Sequence, residues 1–177
     1  MPFYHAPADA PPSNFITLRV FITNNDEQLK KTYKNHIAAH NQKSNSSYPD
    51  AGFDIFMPKE VKFNCQSFGT KVPLGVKCAA FKGDEPVSFY TYPRSSMGSK
   101  TKLRLSNGTG IIDSGYRGEL IGVFDNFSQD TYETTKHQRL LQICAGDLQP
   151  FLVEIVESED LLGFTERGEG GFGSTGS

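Results

Sequence analysis

Three groups of residues in this sequence have the types and spacing to do chemistry. The first lies in GIIDSGYRGELIGVFDN, Gly110 to Asn126. Gly110-Ile111-Ile112 and Leu120 to Phe124 are apolar runs, and Asp113-Ser114-Gly115 between them supply turn chemistry. The pattern predicts a hairpin of two short strands with Asp113 and Tyr116 at its bend. A carboxylate there can orient a water and take its proton. The nearby Asn107-Gly108 pair and Gly110 let a ligand approach bare backbone. Taken alone, the stretch reads equally well as a solvated turn in which Asp113 bonds its own backbone. The second group is PRSSMG, Pro93 to Gly98, where Arg94, Ser95 and Ser96 offer donors that suit a phosphate. Alone, Arg94 is also what an ion pair at a strand end would look like. The third is RGEGGFGSTG, Arg167 to Gly176, which sets one cation, one ring and two hydroxyls on a pliable backbone. A ring such as Phe172 can stack on a base while Arg167, Ser174 and Thr175 hold phosphates. A glycine-rich terminus is otherwise a disordered end, and no Gly-Lys-Ser/Thr follows to make it a Walker loop.

These stretches, with AGFDIF (Ala51 to Phe56) and a weaker match in KHQRLLQI (Lys136 to Ile143), resemble in order and spacing the motifs of the trimeric dUTPases. The resemblance covers about residues 50 to 176. It implies an all-β, jelly-roll-like antiparallel barrel or sandwich. It implies hydrolysis of dUTP to dUMP and pyrophosphate by water attack on the α-phosphorus, which limits uracil incorporation into DNA and supplies dUMP. It implies Mg²⁺ held by the triphosphate and water, with no protein metal ligand, and a homotrimer with sites at subunit interfaces. Asp113 would be the base. Tyr116 would pack on the deoxyribose and occupy the space of a 2′-hydroxyl. The backbone at Gly110 and Ile111, helped by Asn107, would read uracil. Arg94, Ser95, Ser96 and Gln142 would hold phosphates, with Asp54 a supporting acid; alone, Asp54 is as well read as a turn aspartate. Arg167, Phe172, Gly173, Ser174 and Thr175 would form a lid over a neighbouring subunit's site. The fourth motif departs from the family: His137 stands where glycine is usual, and Gln138 where an acid is usual.

A structural jelly roll with no ligand site is disfavoured by the joint occurrence of the motifs, and two other readings remain open at this level. The dCTP deaminases share the fold and an IDxG-type hairpin, but carry a glutamate on the following strand, where this chain has Val123. A catalytically silent trimer that binds nucleotide or protein would be free to lose Asp113, Tyr116, Arg94, Arg167 and Phe172, which are all present.

The elements that must position these residues follow from composition and patterning. The chain has 177 residues, enough for one domain with a sizeable core. A formal net charge of −2 provides no broad basic field for nucleic acid. No apolar run approaches membrane-spanning length, and the first residues lack the pattern of a secretory signal. Cys65, Cys78 and Cys144 form no CxxC pair, which fits reduced thiols in a soluble intracellular protein of unspecified compartment. Residues 1–14 read as a flexible arm, residues 15–165 as the β domain, and residues 166–177 as a flexible glycine-rich C-terminal arm or lid. Strands are predicted at Phe15–Thr23, Val61–Cys65, Lys71–Phe81, Val87–Tyr92, Leu103–Leu105, Gln138–Cys144 and Phe151–Glu157, besides the hairpin.

Residues 24–48 have no counterpart in the resemblance and read as an insertion. Asn25 can cap a helix with Gln28 as its box partner, and Leu29, Tyr33 and Ile37 recur on one narrow face. The expectation is a short surface helix ending near His40, followed by a polar loop, that contributes little to folding and can be deleted from Glu27 to Ser46 with activity intact. His36 and His40 at i and i+4 could bear a metal; without a third ligand they read as an exposed face.

Overall fold

The computed structural model describes residues 15–23 and 26–171. The N-terminal arm over residues 1–14 and the lid residues Phe172, Gly173, Ser174 and Thr175 lie outside the described residues. In chain order the elements are β1 (Ile16–Ile22), α1 (Glu27–Ser44), β2 (Gly52–Phe56), β3 (Lys62–Phe63), β4 (Ser67–Lys82), β5 (Glu85–Val87) and β6 (Phe89–Pro93). They continue with α2 (Ser95–Lys100), β7 (Leu103–Leu105), β8 (Gly110–Ile112), β9 (Glu119–Asn126), β10 (Tyr132–Glu133), β11 (Arg139–Ala145), β12 (Phe151–Ile155) and a 3₁₀ turn, Glu159–Leu162.

Two main sheets form a jelly-roll-like sandwich. One runs β12-β1-β4-β9-β7, with β5 also on β4; the other runs β2-β11-β6-β8. A two-stranded β10-β3 ribbon completes the set. The alternation that gave the strands away is visible in β9, where Leu120, Gly122, Phe124 and Asn126 are buried and their neighbours are not. The core between the sheets draws on Leu18, Phe53, Ile55, Phe124, Ile143 and Phe151. Pairing is antiparallel except between β1 and β12, which run parallel.

Three expectations are corrected. First, β8 and β9 do not pair as a hairpin. β8 pairs with β6 in the smaller sheet, whereas β9 pairs with β4 and β7 in the larger one. Residues 113–118 are therefore a corner that carries the chain from one sheet to the other. Second, AGFDIF forms a strand, β2, and PRSSMG opens a short helix, α2; neither element was expected.

Third, the inserted helix is neither short nor peripheral. It runs from Glu27 to Ser44 and is capped by Asp26, whose carboxylate accepts from the Leu29 N–H at 2.9 Å. That bond lowers the Asp26 pKa. Gln28 instead accepts from Lys136 at 2.8 Å. Leu29 and Tyr33 are each 1% exposed, and both belong to the main core. Burying each stabilises the fold by about 1.5–3 kcal/mol. The Tyr33 hydroxyl accepts the Phe56 N–H at 3.1 Å, so the helix also satisfies an edge donor of β2. Removing Glu27 to Ser46 would strip the core, and the expectation of a dispensable segment does not hold. His36 and His40 pack on the Phe53 ring, with centroids 4.8 and 5.2 Å away, and are not an exposed face.

Candidate active site

The β2-β11-β6-β8 sheet sorts the candidate residues onto two faces. Asp54, Gln142 and Tyr92 are in register across β2, β11 and β6. Cross-strand partners share a face, so these three side chains point to the outer side. Their neighbours Ile143, Thr91 and Phe53, also in register, point inward between the sheets.

On the inner side, at the β8 end of the sandwich, is a cleft of about 180 Å³. Asn107, Gly110, Ile111, Asp113, Tyr116 and Arg167 line it, with Thr91, Leu120, Val123 and Leu141 as its floor and walls. Its construction depends on absent side chains. A Cβ on Gly110 would collide with the Thr91 hydroxyl, so the β8 backbone lies bare against β6. A Cβ on Gly118 would collide with the Tyr116 ring. That ring is fixed by its hydroxyl, which donates to the Glu119 carbonyl at 2.9 Å, and burial raises the Tyr116 pKa. The Tyr116 N–H donates to the Asp113 carbonyl at 3.0 Å, which tightens the corner. The Asp113 carboxylate pairs with the Arg167 guanidinium and is half exposed.

On the outer side the chemistry is ionic. Asp54, buried in β2, takes Arg94 Nε at 2.6 Å on one oxygen and Arg139 Nη1 at 3.0 Å on the other. It is thus a clamp between two guanidinium groups and not a turn aspartate. Arg94 does form the strand-end ion pair that its isolated reading anticipated. Ser95 and Ser96 follow it in the first turn of α2. Two adjoining clefts, of about 880 and 530 Å³, share Arg94, Ser95 and Arg139. Gln142 lines the larger, and Ser96 lines the smaller. Helix α1 walls the larger with His36, His40 and Lys43. His40 Nε2 lies 3.0 Å from the Phe151 carbonyl, which can only accept, so this nitrogen carries the proton. Burial lowers the pKa of both His36 and His40.

The departures in the fourth motif have a structural explanation. His137 has φ of 64°, a left-handed conformation that glycine adopts without strain. Gln138 serves the turn: its side-chain Oε1 accepts from the Thr135 N–H at 3.0 Å, and its side-chain Nε2 donates to the Tyr132 hydroxyl at 2.9 Å.

The sequence reading missed Arg139 and Arg117. Arg139 stands in the quoted stretch KHQRLLQI, but only the register of β11 with β2 places it on Asp54. Arg117 is buried and braces the corner, donating to the carbonyls of Ser114 and Tyr116 at 2.8 Å and of Gly163 at 2.9 Å. Burial lowers its pKa. Among the described residues no helix is long and apolar enough to cross a membrane.

Fold and sequence together define the class. Residues 38–176, well over half of the chain, match the family model described as dUTPase, and the chain belongs to the dUTPase family. Among curated relatives, the deoxyuridine 5′-triphosphate nucleotidohydrolase of Nautilia profundicola is 41% identical over 127 residues, covering 71% of this chain and 84% of that protein. The protein of the same name from Clostridium kluyveri is 34% identical over 129 residues, covering 72% and 85%. A solved dUTPase from Streptococcus mutans superposes with a TM-score of 0.50 at 25% identity, covering 62% of this chain and 84% of that one.

Proposed function

We propose that the protein hydrolyses dUTP to dUMP and pyrophosphate. The observation that carries this reading is the inner cleft: a bare β8 backbone, a fixed Tyr116 ring and the Asp113 carboxylate converge there. Family membership supports it independently.

Uracil is read by the β8 backbone near Gly110 and Ile111, with Asn107 beside it. Cytosine would leave polar groups unpaired there, at about 1–3 kcal/mol each. Tyr116 packs on the deoxyribose and leaves no room for a 2′-hydroxyl. Asp113 accepts a proton from the water that attacks the α-phosphorus. The new oxygen–phosphorus bond forms as the bond to the bridging oxygen breaks, and pyrophosphate leaves with the electron pair. Arg94, Ser95, Ser96 and Gln142, with Arg139 added from the geometry, hold the phosphates. Arg167 and the lid residues Phe172, Gly173, Ser174 and Thr175 close over the nucleotide. Val123, which lines the cleft, cannot carry the proton that a deaminase glutamate would.

Among the described residues no three His, Cys, Asp or Glu side chains converge to hold a metal. Both carboxylates of the site are already paired with guanidinium groups, Asp54 with Arg94 and Arg139 and Asp113 with Arg167, which fits Mg²⁺ carried on phosphate oxygens and water. When bound there, it would neutralise charge on the triphosphate.

The two-faced sheet also bears on assembly. The base-reading cleft and the arginine cluster lie on opposite faces of the sheet. This arrangement suits a site in which a second copy presents its outer face to the first copy's inner cleft, and it supports a homotrimer with shared sites. The free cysteines, exposed Cys65 among them, support a reducing intracellular setting.

The test is pyrophosphate release from dUTP, UTP, dCTP and dTTP with Mg²⁺. Turnover confined to dUTP is the expected result; equal turnover of dCTP or UTP would refute the assignment of the cleft.

A further inference from the structure

We propose that the smaller outer cleft takes the terminal phosphate of the nucleotide, and that Lys100 holds it there and sets a preference for a triphosphate over a diphosphate. This rests on the reading of the outer face as the phosphate face, and it adds a residue that lies outside the motif stretches.

The two outer clefts share Arg94, Ser95 and Arg139 but differ in charge. The larger is lined by two carboxylates, Asp50 and Asp54, and its Lys43 is paired with Asp50 at 2.7 Å. The smaller is lined by Arg94, Lys100 and Arg139, and by no Asp or Glu. Asp54 alone answers the two arginines, at 2.6 and 3.0 Å. Lys100 has no hydrogen bond or ion pair among the described residues. Three cations, Arg94, Lys100 and Arg139, against the one carboxylate of Asp54 leave a surplus of two positive charges around the smaller cleft. A terminal phosphate carries about two negative charges near pH 7, and an inner phosphate carries fewer. Charge therefore draws the end of the phosphate chain into the smaller cleft and leaves the inner phosphates on the arginines.

The walls of this cleft are fixed in place. The Arg94 N–H donates to the Leu140 carbonyl at 2.8 Å, which ties the start of α2 to β11. Met97, within α2, is 1% exposed and belongs to the main core. The Thr101 hydroxyl donates to the Met97 carbonyl at 2.6 Å and accepts the Leu103 N–H at 3.1 Å, which closes the helix directly after Lys100. The Lys100 ammonium is thus carried on a turn anchored at both ends. The Ser96 hydroxyl accepts from Arg94 Nη1 at 3.4 Å and keeps its own proton for a phosphate oxygen.

Calorimetry tests this without any turnover measurement. With Mg²⁺ present, dUDP is compared with a dUTP analogue in which NH replaces the oxygen bridging the α- and β-phosphorus. The wild-type chain is expected to bind the analogue more tightly than dUDP. Lys100 is exposed, so Lys100→Gln leaves the fold intact. That variant should weaken the analogue about tenfold and dUDP less than about twofold. Lys100→Arg keeps the cation and should keep most of the preference. Lys102→Gln removes the same charge from a side chain that lines a different cleft, and should leave the preference unchanged. Equal weakening of both nucleotides by Lys100→Gln, weakening of neither, or the same shift from Lys102→Gln would overturn the assignment of Lys100 alone. A wild-type chain that binds neither nucleotide would overturn the functional reading along with it, so the two failures are distinct.

Discussion

The two faces of one four-stranded sheet differ in what they offer a ligand. The inner face offers shape. Its cleft is small, made of backbone left bare by Gly110, and bounded by a ring whose hydroxyl is already satisfied. The outer face offers charge. Its clefts are wide, and a single buried carboxylate, Asp54, aligns two guanidinium groups. A base differs from its competitors in the position of a few donors and acceptors, and a cleft of fixed shape can sense that. A polyphosphate is defined by its charge, and cations in a wide cleft suit it. The difference predicts that damage to one face leaves the other's task intact.

The largest effect is expected on the inner face. Asp113→Asn keeps the shape and removes the base, and should lower kcat on dUTP by about 10²–10⁴-fold, with pyrophosphate binding unchanged by calorimetry. An equal loss of pyrophosphate binding would break the separation of tasks.

The second prediction concerns the element behind the outer face. Leu29→Ala in α1 should lower the free energy of unfolding by about 2–5 kcal/mol in a urea titration. A change at exposed Lys31 should stay within about 0.5 kcal/mol. A mild result at Leu29 would restore the helix to the periphery.

Arg94→Ala comes third. It should weaken binding of inorganic pyrophosphate by about 1.5–3 kcal/mol and leave deoxyuridine binding unaltered. Weakened deoxyuridine binding would mean that the two faces are coupled within one chain.

The smallest effect is a pH dependence in α1. Burial holds the folded His36 and His40 pKa below the ordinary 6.5. The unfolded chain therefore binds more protons as pH falls through that value, and stability drops. His40→Gln keeps a donor for the Phe151 carbonyl and should flatten this loss between about pH 7 and pH 5, as followed by thermal unfolding.

Local pattern revealed strands far better than it revealed their partners. The alternation of β9 and the run of β8 were plain, yet nothing between Gly110 and Asn126 says that the two belong to different sheets. That depends on β6 and β4, which are far away in sequence. The helix was legible from Leu29 and Tyr33, but its depth was not. The contacts that bury it, Tyr33 to Phe56 and His40 to Phe151, join residues distant in sequence. The same holds for the site. Asp113, Tyr116 and Arg94 were singled out because short motifs carry them. Asp54 was legible as a motif member but not as the anchor of Arg94 and Arg139, because that role arises from strand register. The face each residue occupies was equally hidden, and the proposed sharing of sites between chains rests on it.

That last point is tested most directly by mixing two inactive chains. Asp113→Asn chains keep a sound outer face, and Arg94→Ala chains keep a sound inner cleft. Co-assembled, the cleft of one meets the arginine cluster of the other. The expected result is dUTP hydrolysis well above that of either variant alone. Mixed assemblies no more active than the separate variants would mean that both faces serve one site within a single chain, and would contradict the account.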